Sequence, residues 1–319
     1  MDISTNIKRE NMNILIVDDI HHILLERLDK NNISYNYQPD IKREEAEQLI
    51  GEYEGLIIRS KFQVDQKFID LGAKLQFIGR SGAGMDNIDE IYATSKGIDL
   101  LSANEGNRDA VGEHMIGMLL SLMNNLNRGD NEIRNGTWKR EENRGYELMG
   151  RTVALIGYGN NGQAMAKKLS GFGVTVLAYD KYKTGFSDEY ATEVSMEEVV
   201  KWADVLSFHI PLTRETKGMV DEEYLFHFRK PIFFLMGARG GIAHIPAVLK
   251  NLDNGKIIGA AFDVLPVEKF PALSQEDWYA DLASRDNVLL SPHVAGWTFE
   301  SYYKLSDVLA DKILALVQK

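Results

Sequence analysis

Three groups of polar residues each stand just after a strand-like run. Arg239 follows Phe234-Leu235-Met236 and sits among the small residues Gly237, Ala238, Gly240 and Gly241. Asp263 and Glu268 follow Gly259-Ala260-Ala261-Phe262, and His293 follows Leu289-Leu290-Ser291-Pro292. Ligands of open parallel sheets bind outside the carboxyl ends of the strands, which makes all three segments site candidates. Taken singly, each also fits a plainer role: an Arg in a surface turn, an acid pair on a solvated loop, a His capping a helix. Together they make a reacting set. A planar guanidinium binds both oxygens of a carboxylate, and an imidazole titrates near neutral pH. A carboxylate beside that imidazole favours its protonated form and fixes its orientation. Arg239, His293 and Glu268 therefore suit the reduction of a 2-oxo acid by a hydride, with Arg239 on the substrate carboxylate and His293 supplying the proton.

A hydride carrier is indicated near the middle of the chain. Val153-Ala154-Leu155-Ile156 runs into Gly157-Tyr158-Gly159-Asn160-Asn161-Gly162, then into a helical pattern over Gln163–Leu169. A second strand-like run, Val174–Tyr179, ends on Asp180. Strand, Gly-x-Gly-x-x-Gly turn, helix, strand and acid follow in the order a dinucleotide site requires. Gly157 permits the tight turn, Gly159 the close approach of the pyrophosphate, and Gly162 the packing of helix on strand. The helix start offers N–H groups and the positive dipole end to the phosphates. Asp180 is placed to accept from the ribose 2′-hydroxyl, which favours NAD as cofactor over NADP.

Composition excludes several other classes. The chain has 319 residues, 44% hydrophobic and 26% charged, which reads as an ordinary globular protein long enough for two domains. A net charge of −11 argues against nucleic acid as the main partner. It also means that an acidic substrate requires a local concentration of Arg and Lys. Zero Cys excludes disulfides and thiolate chemistry and suits a reducing cytoplasm. No metal is expected, since the seven His show no ligand spacing and His21-His22 reads as a surface pair. The polar stretch Met1–Asn13 has no apolar h-region, so it reads as a tail and not a signal peptide. The apolar stretch Met115–Met123 is too short for a bilayer and reads as a core or interface helix, so no membrane association is expected.

From Asn13 the chain alternates strand-like and helix-like pieces. Strand runs are expected at 14–17, 33–37, 55–58 and 75–78, and again at 205–208, 231–235, 257–262 and 288–290. Such alternation predicts an α/β protein with parallel sheets covered on both faces. One long helix is expected from about Asn107 to Arg134, a loop over 134–150, and a final amphipathic helix over Ser301–Val317. Crossings between domains are expected near 102–107 and 295–298.

These segments resemble one family, the D-isomer-specific 2-hydroxyacid dehydrogenases, over roughly residues 50–300. Gly79-Arg80-Ser81-Gly82-Ala83-Gly84-Met85-Asp86 is similar to the family's glycine loop, which receives the substrate carboxylate on backbone N–H groups. Ser207-Phe208-His209-Ile210-Pro211-Leu212-Thr213-x-x-Thr216 resembles its cofactor-lining segment. Ala238-Arg239-Gly240, Asp263-Val264-x-x-x-Glu268 and Pro292-His293-x-x-Gly296 resemble its Arg, Glu and His signatures in order. The resemblance implies Arg239 as substrate clamp, His293 as acid/base and Glu268 as its partner. It places His209, Pro211, Thr216, Ala238, Asp263 and Gly296 along the cofactor, Asp263 and Ala238 at its nicotinamide end. Met236 stands where the family usually has Asn, His244 where it has an acid, and Lys269 where it has Pro. The implied fold is two doubly wound parallel-sheet domains: a Rossmann NAD-binding domain over 104–295 and a flavodoxin-like substrate domain from 1–103 and 296–319, with the active site in the cleft. A homodimer through the NAD-binding domain is also implied.

Within the family, Ile58-Arg59-Ser60-Lys61 and Gly79-Arg80 resemble the phosphoglycerate dehydrogenases, as does the basic segment Trp138-Lys139-Arg140. Arg59, Ser60, Arg80 and Arg140 would then face a phosphorylated substrate, and the implied reaction is oxidation of 3-phosphoglycerate to 3-phosphohydroxypyruvate, the entry to serine biosynthesis. The plainer reading has Arg59 and Arg80 paired with local acids such as Asp86 or Asp89. The alternatives are a glyoxylate or hydroxypyruvate reductase, and a non-catalytic NAD-sensing protein similar to the C-terminal-binding-protein corepressors. The chain ends soon after its last helix, so feedback by serine through a regulatory domain is not expected.

Overall fold

The computed structural model describes residues 12–318. Contacts divide the chain into two units, one running to Asn107 and resuming at Trp297, the other spanning Arg108–Gly296. Most of the polar N-terminal stretch lies outside the described residues, although Met12 is buried and Asn13 opens the first strand.

The first unit is a five-stranded sheet of β1 (Asn13–Ile16), β2 (Ser34–Tyr37), β3 (Gly55–Ile58), β4 (Phe77–Arg80) and β5 (Asp99–Ser102), in the order β2-β1-β3-β4-β5. Every pairing is parallel. Successive side chains of a strand point to opposite faces. Ile14 and Ile16 accordingly join one apolar cluster with Ile57 and Phe77, while Leu15 joins another with Leu56, Ile58 and Ile78. Both faces are buried, which is why these strands read as continuous apolar runs. The C-terminal helix Phe299–Val317 belongs here because Leu305, Leu309, Ile313 and Leu316 recur at helical spacing and fill the first cluster.

The second unit is a seven-stranded sheet of β6 (Thr152–Ile156), β7 (Thr175–Tyr179), β8 (Thr192–Glu193), β9 (Val205–Phe208), β10 (Ile232–Met236), β11 (Ile257–Phe262) and β12 (Val288–Leu290). Its order is β12-β11-β10-β9-β6-β7-β8, again all parallel. The order reverses beside β6, the point at which doubly wound sheets open a ligand crevice. The α/β class and two parallel sheets expected from the alternation are what the chain adopts.

Three local features differ from the sequence reading. The helix expected over 107–134 is two, Arg108–Met123 and Leu126–Arg134, because Asn125 between them takes a left-handed φ of 53°. Asn tolerates that conformation better than most residues. β4 runs two residues further than the apolar pattern suggested, which brings Arg80 to its carboxyl end. β5 and the two-residue β8 carry too few apolar residues to announce themselves. The helix Arg108–Met123 is buried on several sides and sits against Asn160–Leu169, and none of the described helices is long and apolar enough to cross a membrane.

Leu309 is fully buried at the centre of the first unit's helix–sheet contact. Leu309→Ala is expected to destabilise that unit by about 3 kcal/mol, read as a lower urea midpoint with an unchanged slope.

Candidate active site

The glycine turn leaves the carboxyl end of β6. Gly157 has a φ of 96°, and a Cβ there would lie 2.6 Å from the carbonyl oxygen of His209 on the neighbouring strand end. Gly162, one turn on, would press a Cβ against the carbonyl oxygen of Gly157. Both positions require glycine. The helix Asn160–Leu169 has Gly159 as its N-cap and no side chain capping it. The space where a Cβ of Gly159 would stand is empty to 4 Å. Asn161 Oδ1 is buried with no hydrogen-bond partner among the described residues. Uncapped N–H groups and an open glycine together suit a pyrophosphate, while Asn161 Oδ1, an acceptor, suits a hydroxyl or amide donor. The Tyr158 ring is fully buried, and its hydroxyl donates to both oxygens of Asp188, at 2.9 and 2.8 Å. Only its main chain lies in the turn.

Asp180 follows β7, and its two oxygens accept from Tyr158 N, at 2.9 Å, and Tyr182 N, at 3.0 Å. A carboxylate retains lone pairs beyond these two bonds, so the acid can still accept from a ribose hydroxyl. His209 follows β9 with Nε2 3.0 Å from Ser207 Oγ, and burial holds its pKa down at about 4, which keeps the ring neutral. Thr216 Oγ1 donates to Pro211 O at 2.7 Å and accepts from Thr213 N, closing the loop that follows.

The reacting set stands on the next three strands of the same edge. Arg239 lies three residues past β10 and donates from Nη1 to Ala238 O at 2.8 Å. Glu268 lies past β11, and its Oε2 is 2.9 Å from His293 Nδ1. Asp263, at the end of β11, is 2% exposed. Its carboxylate accepts from Ser291 Oγ at 2.6 Å, Val294 N at 2.9 Å and Ala295 N at 2.9 Å. Its own carbonyl oxygen accepts from His293 N at 2.8 Å. Asp263 thus shapes the loop carrying His293. Gly296 closes this unit. Sequence reasoning also passed over Ser291 and His114, whose Nε2 is 3.0 Å from Ser291 Oγ. The only sequence signal was Ser291 standing two positions before His293.

The first unit holds the other candidates. Asp18 Oδ2 accepts from the N–H groups of Arg59, Ser60 and Lys61, at 3.0, 2.7 and 2.9 Å, and so fixes the loop after β3. Asp18 was not foreseen, since a single acid after an apolar run carries no distinguishing pattern. The Arg59 guanidinium stacks over Trp297, 4.6 Å from the ring centroid, and its Nη1 is buried with no hydrogen-bond partner among the described residues. Arg80 donates to Arg59 O at 2.9 Å and to Gly84 O, so its guanidinium braces the loop. Ser81 is buried with its N–H on Ile58 O, and Gly82 N–H is on Arg80 O. Of the expected carboxylate donors, Ala83 and Gly84 keep N–H groups without a hydrogen bond among the described residues. Arg140 lies in the exposed stretch after Thr137.

Residues 116–295 match the model described as D-isomer specific 2-hydroxyacid dehydrogenase, NAD binding domain. The chain belongs to that family. Over 312 residues it is 30% identical to the D-3-phosphoglycerate dehydrogenase of Archaeoglobus fulgidus, covering 96% of this chain and 58% of that protein. It is 32% identical over 275 residues to the hydroxypyruvate reductase of Thermotoga maritima, covering 86% of this chain and 88% of that protein. The solved TT0316 protein of Thermus thermophilus superposes with a TM-score of 0.80 at 26% identity, covering 96% and 97% of the two chains. The chain spans little more than half the length of the Archaeoglobus protein. The matched segment is an NAD-binding domain, and the glycine turn, uncapped helix and Asp180 are the residues that would hold NAD.

The hydrogen bond that His293 Nδ1 donates to Glu268 is the main cause of a raised His293 pKa, with burial opposing it. A raised folded-state pKa makes the pair stabilising below the unfolded imidazole value of about 6.5, a contribution lost as pH rises through the folded value. Glu268→Gln is expected to move the His293 titration back down toward the ordinary imidazole value, read by NMR of the ring protons.

Proposed function

We propose that this chain transfers a hydride between NAD and a D-2-hydroxy acid or the corresponding 2-oxo acid. The observation that carries this function is the His293–Glu268 pair at 2.9 Å on the same sheet edge as the glycine turn and Arg239. Arg239 presents a planar fork for the substrate carboxylate. Glu268 occupies Nδ1 of His293, which leaves Nε2 as the nitrogen that exchanges a proton with the substrate oxygen. In reduction a protonated His293 gives that proton to the carbonyl oxygen, and in oxidation the neutral ring takes it from the hydroxyl. NAD, when bound, accepts or supplies the hydride.

For the substrate we propose 3-phosphoglycerate, oxidised to 3-phosphohydroxypyruvate. Arg59 supports it: a guanidinium with a buried, unpartnered nitrogen is suited to a phosphate oxygen. The second reading, hydroxypyruvate or glyoxylate reduction, is supported by Arg80, two of whose donors are engaged by backbone carbonyls and not held for a phosphate. NADH oxidation across phosphohydroxypyruvate, hydroxypyruvate and glyoxylate separates the two. Phosphohydroxypyruvate is expected to be preferred, and Arg59→Ala to cut its kcat/KM by about a hundredfold with a much smaller effect on hydroxypyruvate. Equal use of the phosphorylated and plain substrates, or a preference untouched by the substitution, rejects the phosphate. His293→Ala is expected to abolish turnover while NADH still binds; equal loss of both points to a structural histidine.

We also propose a homodimer through the second unit. Leu126, Ile133, Trp138, Tyr146 and Met149 are exposed along the helix Leu126–Arg134 and the stretch after it, more apolar surface than a free monomer usually presents in one region. Sedimentation at the dimer mass is expected, with Trp138→Asp shifting the population toward monomer.

A further inference from the structure

The helix Arg108–Met123 carries a histidine that the reaction above does not use. His114 Nε2 is 3.0 Å from Ser291 Oγ and 3.6 Å from Asp263 Oδ1. Ser291 Oγ is in turn 2.6 Å from that same carboxylate oxygen, and 3.7 Å from Met118 Sδ. A hydroxyl has one proton, and a contact this short to a carboxylate determines where it goes. Ser291 Oγ therefore faces His114 with lone pairs, and His114 must carry its proton on Nε2 and donate it.

The hydrogen bonds then run in one direction. His114 Nε2–H donates to Ser291 Oγ, and Ser291 Oγ–H donates to Asp263 Oδ1. Asp263 accepts further from Val294 N–H and Ala295 N–H, the two peptides just after His293. The His293 N–H itself donates to Asp263 O. His293 has a φ of 55°, a left-handed conformation that a non-glycine residue holds only when its surroundings impose it. Ser291 is the link most easily lost, because a serine hydroxyl rotates freely unless something fixes both its proton and its lone pairs.

We infer that His114 is a positioning residue: by donating to Ser291 Oγ it fixes the Ser291–Asp263 clamp, and so holds His293 in place against Glu268. This inference rests on the acid/base role proposed for His293. The helix Arg108–Met123 packs against β11 and β12, and His114 reaches Asp263 after one and Ser291 after the other.

Two variants test it. His114→Leu keeps comparable bulk and removes the donor, whereas His114→Gln keeps an amide N–H near the position of Nε2. His114→Leu is expected to lower kcat about tenfold, the loss of one positioning hydrogen bond, with the NADH dissociation constant changed by less than about twofold. The His293 ring titration, followed by NMR, is expected to fall toward the ordinary imidazole value as its contact with Glu268 loosens. His114→Gln should recover most of both effects. An unchanged titration in His114→Leu, or equal losses in both variants, overturns the inference, since only bulk would then matter. Should His114→Leu fail to fold, Ser291→Ala cuts the chain at its next link and is judged by the same two readouts. The titration needs no turnover. A wild-type protein that reduces no 2-oxo acid would refute the acid/base role, while the His293 titration still decides the positioning role.

Discussion

Asp263 is buried at the end of β11, and its two carboxylate oxygens collect three donors from residues 291–295. An ionised carboxylate withdrawn from water is costly unless it is hydrogen-bonded, and hydrogen bonds to a charged group are the strong ones. Three such bonds offset that cost, and they also do what β12 is too short to do. That strand has three residues and lies at the sheet edge, so its ladder alone would leave the following loop loosely held. With Asp263 in place, Ser291 is gripped on one side of His293 and Val294 and Ala295 on the other. The left-handed backbone of His293, a cost on the order of 1–3 kcal/mol, is stabilised from both flanks. Remove the carboxylate and the donors lose their acceptor together, so the position of His293 depends on one buried residue.

The first unit uses the same device independently. Asp18 stands just past β1 and gathers the three consecutive N–H groups of residues 59–61 onto one oxygen. In both units a buried Asp at a strand's carboxyl end shapes the loop of another strand. The glycine turn inverts the arrangement. There no side chain takes the N–H groups at the start of the helix Asn160–Leu169, and the donors remain for an anion from outside. Loops that must hold a side chain are pinned by protein carboxylates, and the loop that must hold a phosphate is left uncapped.

What could be read from the sequence follows from this difference. The parallel sheets were legible because strands buried on both faces must be apolar throughout, as β3 and β10 are. The glycine turn was legible because Gly157 and Gly162 are dictated by backbone contacts that admit no side chain. That Arg239, Glu268 and His293 follow successive strands was legible from the apolar runs before them, and the Glu268–His293 contact at 2.9 Å agrees with an acid read beside an imidazole. The clamp was not. The partners of Asp263 do not show in its own segment, and Ser291, Asp18 and His114 are ordinary polar residues whose partners lie far along the chain. Asp18 meets the 59–61 loop across about forty positions, and His114 meets Ser291 across 177. No local periodicity encodes such a pairing. The direction of the Tyr158 ring is hidden for the same reason: its place in the motif is local, but its hydroxyl is held by Asp188, thirty residues away.

The two arginines that invited a phosphate reading divide along the same line. In a chain with a net charge of −11, most cations find a protein partner. Arg80 finds backbone carbonyls at Arg59 and Gly84, and its role in bracing that loop is complete without a ligand. Arg59 is different. Its backbone N–H is held by Asp18, its guanidinium face rests on Trp297, and its Nη1 is shielded from water without an acceptor among the described residues. A guanidinium nitrogen in that state has given up hydration and gained little in return, so an anionic oxygen placed against it gains more than it would at a solvated Lys or Arg. Fixing the backbone through Asp18 and the plane through Trp297 also lowers the entropy lost when such an oxygen binds. Were the substrate to carry a distal anionic group, one preorganised guanidinium, and not a cluster of basic side chains, would meet it.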